Sequence, residues 1–253
     1  ISGRLTWALP DAAAGGAAGE TPVDRPEVPT GADVPGFGQV SAVLELADID
    51  MRALDSRLPQ QILAGRVELG ADAARQHAQL GLTIGKARID AGAELHAGAP
   101  DAAARTPRSF TLDGRLRDVD SRALVADAPT ALLNLDVAAS GTLAPQLDVQ
   151  AKFSLPDSRF EGRPLGGAGE FRYAATADAF RMSDVVLALE LAGNRLQAKG
   201  AWGGPGDSLA LKLDAPALGA IGHGLGGRAG AEGTLSGSLA RPAGALSFFA
   251  ESL

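Results

Sequence analysis

Apolar and polar residues alternate one by one along most of this chain. The clearest run is Leu147-Asp148-Val149-Gln150-Ala151-Lys152-Phe153-Ser154-Leu155, apolar at each odd position and polar at each even one. A helix would scatter those apolar groups around its axis, whereas a strand gathers them on one face. The same alternation returns at Leu80/Leu82/Ile84, Leu133/Leu135/Val137, Leu187/Leu189/Leu191 and Leu209/Leu211/Leu213. Gly, Pro, Asp and Asn punctuate these runs, so the pattern predicts about fourteen short strands and an all-β protein. One apolar and one polar face per strand predicts a sheet that is wet on one side. Leu189–Ala198 reads as a hairpin, with Gly193-Asn194 supplying the positive φ of its tight turn.

Two stretches lack any period. Residues 10–36, rich in Ala, Gly, Pro and Glu, are expected to form a disordered or protruding loop, and residues 98–108 a shorter version of it.

Sliding the sequence by seventy positions reveals an internal repeat. Leu46, Asp48, Asp50, Arg52, Ala53, Leu54 and Pro59 fall on Leu116, Asp118, Asp120, Arg122, Ala123, Leu124 and Pro129. A degenerate third copy begins at Leu213-Asp214-Ala215-Pro216-Ala217-Leu218, where Asp214 and Leu218 match Asp50 and Leu54. Asp50 and Asp120 suit the N-cap of a short helix, and the Pro downstream frames its end. The chain therefore divides into a strand end of a preceding repeat (1–9), the loop (10–36), repeat units over 37–108 and 109–205, and the start of a third over 206–253. Such units are expected to stack into an elongated, solenoid-like body with short capped helical turns.

Composition narrows the function. The 253 residues carry a formal net charge of -7, which argues against nucleic acid, because phosphate binding needs clustered cations. Cysteine is absent, which excludes disulfide frameworks and thiolate metal sites. His77, His96 and His223 show no ligand spacing, and neither a zinc-protease helix, a P-loop nor a nucleophile elbow occurs. Gly222-His223-Gly224-Leu225-Gly226-Gly227 matches a dinucleotide fingerprint, but no amphipathic helix follows it, so it reads as a turn. The Asp48/Asp50 and Asp118/Asp120 pairs are explained by capping rather than by acid–base or Ca²⁺ chemistry. Trp7 and Trp202 suit packing. The expectation is a protein with no catalytic residues, no metal and no cofactor.

With the repeat assembled, strand, Asp-x-Asp, Arg-Ala-Leu, a downstream Pro and a Gly-rich strand pair together resemble the repeating unit of the TamB/AsmA-like family of Gram-negative envelopes. Gly193-Asn194-Arg195-Leu196-Gln197-Ala198-Lys199-Gly200 is similar to that family's recurrent strand, and Gly233–Pro242 to its Gly-x-Leu-x-Gly…Pro turn. The third copy departs from it, with His223 where the first two carry Pro. The resemblance spans about residues 37–253. It implies an elongated sheet rolled into an open, taco-like groove, anchored in the inner membrane by an N-terminal helix outside this sequence. It further implies a periplasmic location, partnership with an Omp85-type outer-membrane barrel, and phospholipid passage between the membranes, with help to outer-membrane protein assembly. Both ends of the sequence read as cuts through a longer chain.

If the apolar face meets lipid, its candidates are Leu80, Leu82, Ile84, Leu133, Leu135, Val137, Leu147, Val149, Phe153, Leu155, Leu187, Leu189, Leu191, Leu209, Leu211 and Leu213. The competing reading is that the same face closes on itself as a dry core. Two other classes are weaker. A secreted β-solenoid adhesin or autotransporter passenger would carry ladders of Asn, Ser and Thr, whereas Asn is nearly missing here. A β-helical polysaccharide-processing enzyme would need converging carboxylates and exposed aromatics.

Overall fold

In a computed structural model of the chain, the residues described are 2–8, 40–54, 59–72, 74–98, 108–125, 127–144, 146–175, 180–221, 224, 226–238 and 241–252. All of 10–36, residues 99–107, and Gly222 with His223 lie outside them. The fold is all-β. Its strands are β1 (Ser2–Ala8), β2 (Val40–Asp50), β3 (Ile62–Ala71), β4 (Arg75–Ile84), β5 (Ala87–Ala97), β6 (Arg108–Asp120), β7 (Ala131–Ala144), β8 (Leu147–Phe160), β9 (Arg163–Ala175), β10 (Phe180–Leu191), β11 (Asn194–Trp202), β12 (Ser208–Ala215), β13 (Arg228–Gly237) and β14 (Pro242–Glu251). They form one open sheet in the order of the sequence, each strand antiparallel to its neighbours, with β1 and β14 at the edges. Among the described residues helix is confined to two single turns, α1 (Met51–Leu54) and α2 (Ser121–Leu124), and a 3₁₀ turn at Leu218–Ala220. No described helix is long and apolar enough to cross a membrane.

The connections differ at the two ends of the strands. At the helical end, α1, α2 and the 3₁₀ turn are interspersed with three two-residue hairpins, the last two of which follow one another. Ile84 pairs with Ala87 around a turn whose first residue, Gly85, has φ 59°. Phe160 pairs with Arg163 around Glu161 and Gly162, both at positive φ, as hairpin twist requires. The β10–β11 turn falls on Ala192 and Gly193, at φ 52° and 85°, so the expected Gly193-Asn194 turn is shifted by one residue. Asn194 instead opens β11, facing Leu191, and is buried.

The two aspartates of each Asp-x-Asp motif do different work. Asp50 and Asp120 are the helix caps, each side chain accepting the N–H two residues ahead (Arg52 and Arg122, both at 2.9 Å). Asp48 and Asp118 sit at φ 52° and 53°, where the pairing register of β2 and β6 slips by one residue. Asp157 in β8 and Asp184 in β10 repeat that geometry at φ 43° and 53°. These are β-bulges, and Asp tolerates the left-handed conformation better than most side chains.

The first two repeats share one order of elements, β2-α1-β3-β4-β5 and then β6-α2-β7-β8-β9. The third departs from it. Asp214 lies within β12, opposite Arg195 and Gly230, and caps nothing. The position preceding the 3₁₀ turn is Ala217, which has no side-chain acceptor. Asn194 anchors the residue before the turn instead of capping it, donating Nδ2 to the Ala217 carbonyl at 3.0 Å and accepting the Ala217 N–H at 3.1 Å.

Candidate functional site

Residues paired across an antiparallel sheet share a face, so the register can be followed from strand to strand. From β7, Val137 faces Phe153, Phe153 faces Gly169, and Gly169 faces Leu187. Leu187 then faces Ala198, and Ala198 faces Leu211. In the other direction Leu135 leads through Leu116 and Ile89 to Leu82. Every groove candidate named from the sequence therefore lies on one face of one sheet.

That face is not uniform. At the helical end Met51, Ile84, Ala87 and Val119 form a small buried cluster, with Leu63, Ile89, Leu116, Leu124 and Leu133 packed against it. Met51 and Leu124 come from α1 and α2, so each helical turn folds onto the apolar face and closes it locally. Ile84 is thus buried, and Leu133 lies against the same cluster. The remaining candidates, Leu80, Leu82, Leu135, Val137, Leu147, Val149, Phe153, Leu155, Leu187, Leu189, Leu191, Leu209, Leu211 and Leu213, are half-buried. Among the described residues no large side chain is fully enclosed. Among the described residues, no second layer lies over the apolar face of the sheet.

Small residues let larger ones lie flat. A Cβ on Gly169 would stand 2.7 Å from the Phe153 ring and 3.0 Å from Leu187 Cδ1, so those two side chains close over the Gly169 backbone. Gly200, at φ 129°, leaves no room for a side chain at all: a Cβ there would meet the Ser208 carbonyl oxygen at 2.2 Å. At the far end of the strands Tyr173 stacks on Phe180, whose ring is in edge contact with Trp202. Trp202 Nε1 donates to the Ser236 carbonyl, reaching past β12 to β13.

A second, open apolar part of the face lies at the far end of β2–β7, away from the buried cluster that plugs the helical end. A cleft of 620 Å³ there is lined by Val40, Ala42, Leu69, Ala71, Ala78, Ala93, Leu95, Phe110, Leu112 and Leu143, with few polar groups. Four of its large side chains are exposed: Val40 (42%), Leu69 (50%), Leu112 (39%) and Leu143 (46%). These four exposed side chains form one contiguous apolar patch. None of its residues was among the sequence candidates. The period-two signal that finds β8 is diluted here by Ala and Gly, as in Ala91-Gly92-Ala93.

The opposite face is ionic. Arg66 pairs with Glu68 and lies near Glu45, Arg75 and His96 share Glu94, and Arg117 pairs with Asp136. Arg172–Asp148, Arg195–Glu190 and Arg228–Glu251 continue the series. A cleft of 720 Å³ on this face has Ala138, Ala168 and Ala188 in its floor. Its rim sets Arg115, Arg117 and Lys152 against Asp113, Asp136 and Glu170, so it offers a ligand no net charge. Although larger than the apolar cleft, it is an ordinary charged sheet surface. Asp148 is held below the usual aspartate pKa by its hydrogen bonds from Arg172, which act against the smaller effect of desolvation. Among the described residues no cluster of three or more His, Asp or Glu is arranged to hold a metal.

Compared with known proteins, the chain matches no family model, no curated protein and no solved structure.

Proposed function

We propose that this chain is a carrier segment that shields phospholipid acyl chains on the apolar face of its sheet. The observation that carries the reading is the cleft of exposed Val40, Leu69, Leu112 and Leu143, set in a continuous apolar face over which none of the described residues forms a second layer. An acyl chain laid there gains ~0.8 kcal/mol for each CH₂ taken out of water. Apolar contact of this kind is non-directional and needs no reacting group, so the segment binds and guides without making or breaking a bond. In this reading the sheet is rolled into an open, taco-like trough running across its strands.

The family resemblance adds the setting. By it, the chain is part of a periplasmic protein tied to the inner membrane, working with an Omp85-type barrel to move phospholipid towards the outer membrane. The test is a photo-reactive amino acid placed in the cell-borne protein at Leu112, which lines the cleft, and at Asp113, one residue along and on the ionic face. Phospholipid adducts from Leu112 and none from Asp113 are expected. Equal labelling at both, or none at either, would refute the lipid path.

A further inference from the structure

We infer that the apolar cleft takes an anionic acyl amphiphile in one orientation, its tail pointing towards the helical plug and its acidic head held by Arg108. This deepens, and rests on, the carrier reading above.

The argument starts from where charge is missing. Following the register through β2–β14, the apolar face carries two ionisable side chains among the described residues, Arg163 and Arg108. Arg163 is committed, donating to the Ile221 carbonyl and pairing with Glu161 at the helical end. Arg108 is not. It opens β6 at the far end, faces Ala97 and Ala144 and is exposed, and its side chain has no hydrogen bond or ion pair among the described residues.

Its position relative to the cleft is set by the strand. Phe110 and Leu112, two and four residues further along β6, line the cleft on the same face. A slip in the β6–β7 register beside Arg108 gives β7 one extra residue, and Leu143 lines the cleft from there. Arg108 thus sits just beyond the cleft's lining, two residues from Phe110 on the same face, and the other end of that face is blocked by Met51, Ile84 and Val119. A tail entering the cleft must leave its head at the open end, next to Arg108, the one uncommitted cation among the described residues of that face. Arg suits a phosphate or carboxylate head because its planar fork gives two parallel charge-assisted hydrogen bonds.

Two single-chain amphiphiles of equal tail length test this on the purified protein: a monoacylglycerol and the corresponding monoacylglycerol phosphate. The wild-type protein is expected to bind the phosphate about fivefold more tightly at low salt, the scale of one partly exposed charge pair. Arg108→Ala should erase that preference while leaving the neutral amphiphile's affinity unchanged, and Arg108→Lys should restore part of it. Inorganic phosphate should displace neither. Equal affinities in the wild type, or a preference that survives Arg108→Ala, would overturn the head-group assignment and leave the carrier reading standing. Failure of both amphiphiles to bind would overturn the carrier reading and this inference with it. Leu112→Asp, which spoils the cleft but not Arg108, should weaken both amphiphiles together.

Discussion

Asn134 and Ser158 are bonded to each other in both directions: the Asn134 N–H donates to Ser158 Oγ at 2.8 Å, and Ser158 Oγ donates to the Asn134 carbonyl at 2.9 Å. The Asn134 side chain does more, accepting the Asp118 N–H at 2.8 Å and donating to the Asp157 carbonyl at 3.0 Å. One buried amide thereby ties together the bulges of β6 and β8. Asn134→Ala should cost about 2 kcal/mol, because it strands an N–H and a carbonyl away from water. Ser158→Ala should cost about 1 kcal/mol. Urea unfolding of the two variants checks the order.

Glycine at the sheet's tight points is expected to be irreplaceable, whereas glycine in its hairpins is not. Gly200→Ala would drive a methyl into the Ser208 carbonyl and also strain φ, so a loss of about 3 kcal/mol or more is expected. Gly193→Ala meets nothing within 4 Å and carries only the φ penalty, about 1 kcal/mol. Thermal unfolding should separate them clearly.

Phe153 lies on the half-buried apolar face and Lys152 on the ionic one. Phe153→Asp should leave the far-UV spectrum β-rich and reduce co-purified phospholipid, since water reaches a carboxylate on an uncovered face. Unfolding of that variant would mean the face is closed as a core, where an unpaired charge costs several kcal/mol.

Acid should loosen the far end of β10 and β11. Asp207 is buried and accepts Arg181 Nε at 2.9 Å and Nη2 at 2.8 Å, with the Gly204 N–H at 2.8 Å. The Arg181 hydrogen bonds, helped by Gly204, hold its carboxyl below the usual aspartate value against the opposing effect of desolvation. A depressed carboxylate contributes stability that is complete above the unfolded value of about 3.9 and is lost as pH falls through the lower folded value. The stability gap between wild type and Asp207→Asn should therefore be flat from pH 7 to about 5 and shrink below about 4. A gap that stays constant down to pH 2 would show that ionisation of Asp207 contributes nothing.

The β14 edge should govern self-association of these 253 residues. It is exposed throughout, with Phe248 at 80%, and its only charged residue is the terminal Glu251. Unguarded edges of this kind pair with one another. Phe248→Lys is expected to raise the concentration at which light scattering appears while leaving the circular dichroism unchanged.

Much of this architecture was legible in the sequence. The run 147–155 declares both its strand and its two faces, because large apolar residues alternate with polar ones without a break. Asp50 and Asp120 mark the helical turns through their place before Met-Arg-Ala-Leu and Ser-Arg-Ala-Leu. The bulges were not legible: Asp48, Asp118, Asp157 and Asp184 each add one residue to a strand, and a positive φ leaves no trace in a period-two count. Asn134 was invisible for the same reason, since its partners are backbone groups. The cleft was missed because its walls mix Ala with Leu, so no single strand stands out. Arg108 borders a stretch without period, and its place on the apolar face emerges only through its pairing with Ala97.

The strand order has a mechanical meaning. Because the backbone ladder of each described strand joins it only to those that precede and follow it in sequence, a pull along the wide axis of the sheet loads the strand-to-strand ladders in series, with side-chain bonds such as Trp202 to Ser236 the kind of link that reaches further. A body of this kind gives way at its weakest interface, releasing one strand at a time and leaving the rest paired. The local connectivity that makes it easy to peel also makes it quick to re-form, since each returning strand needs only its neighbour as a template.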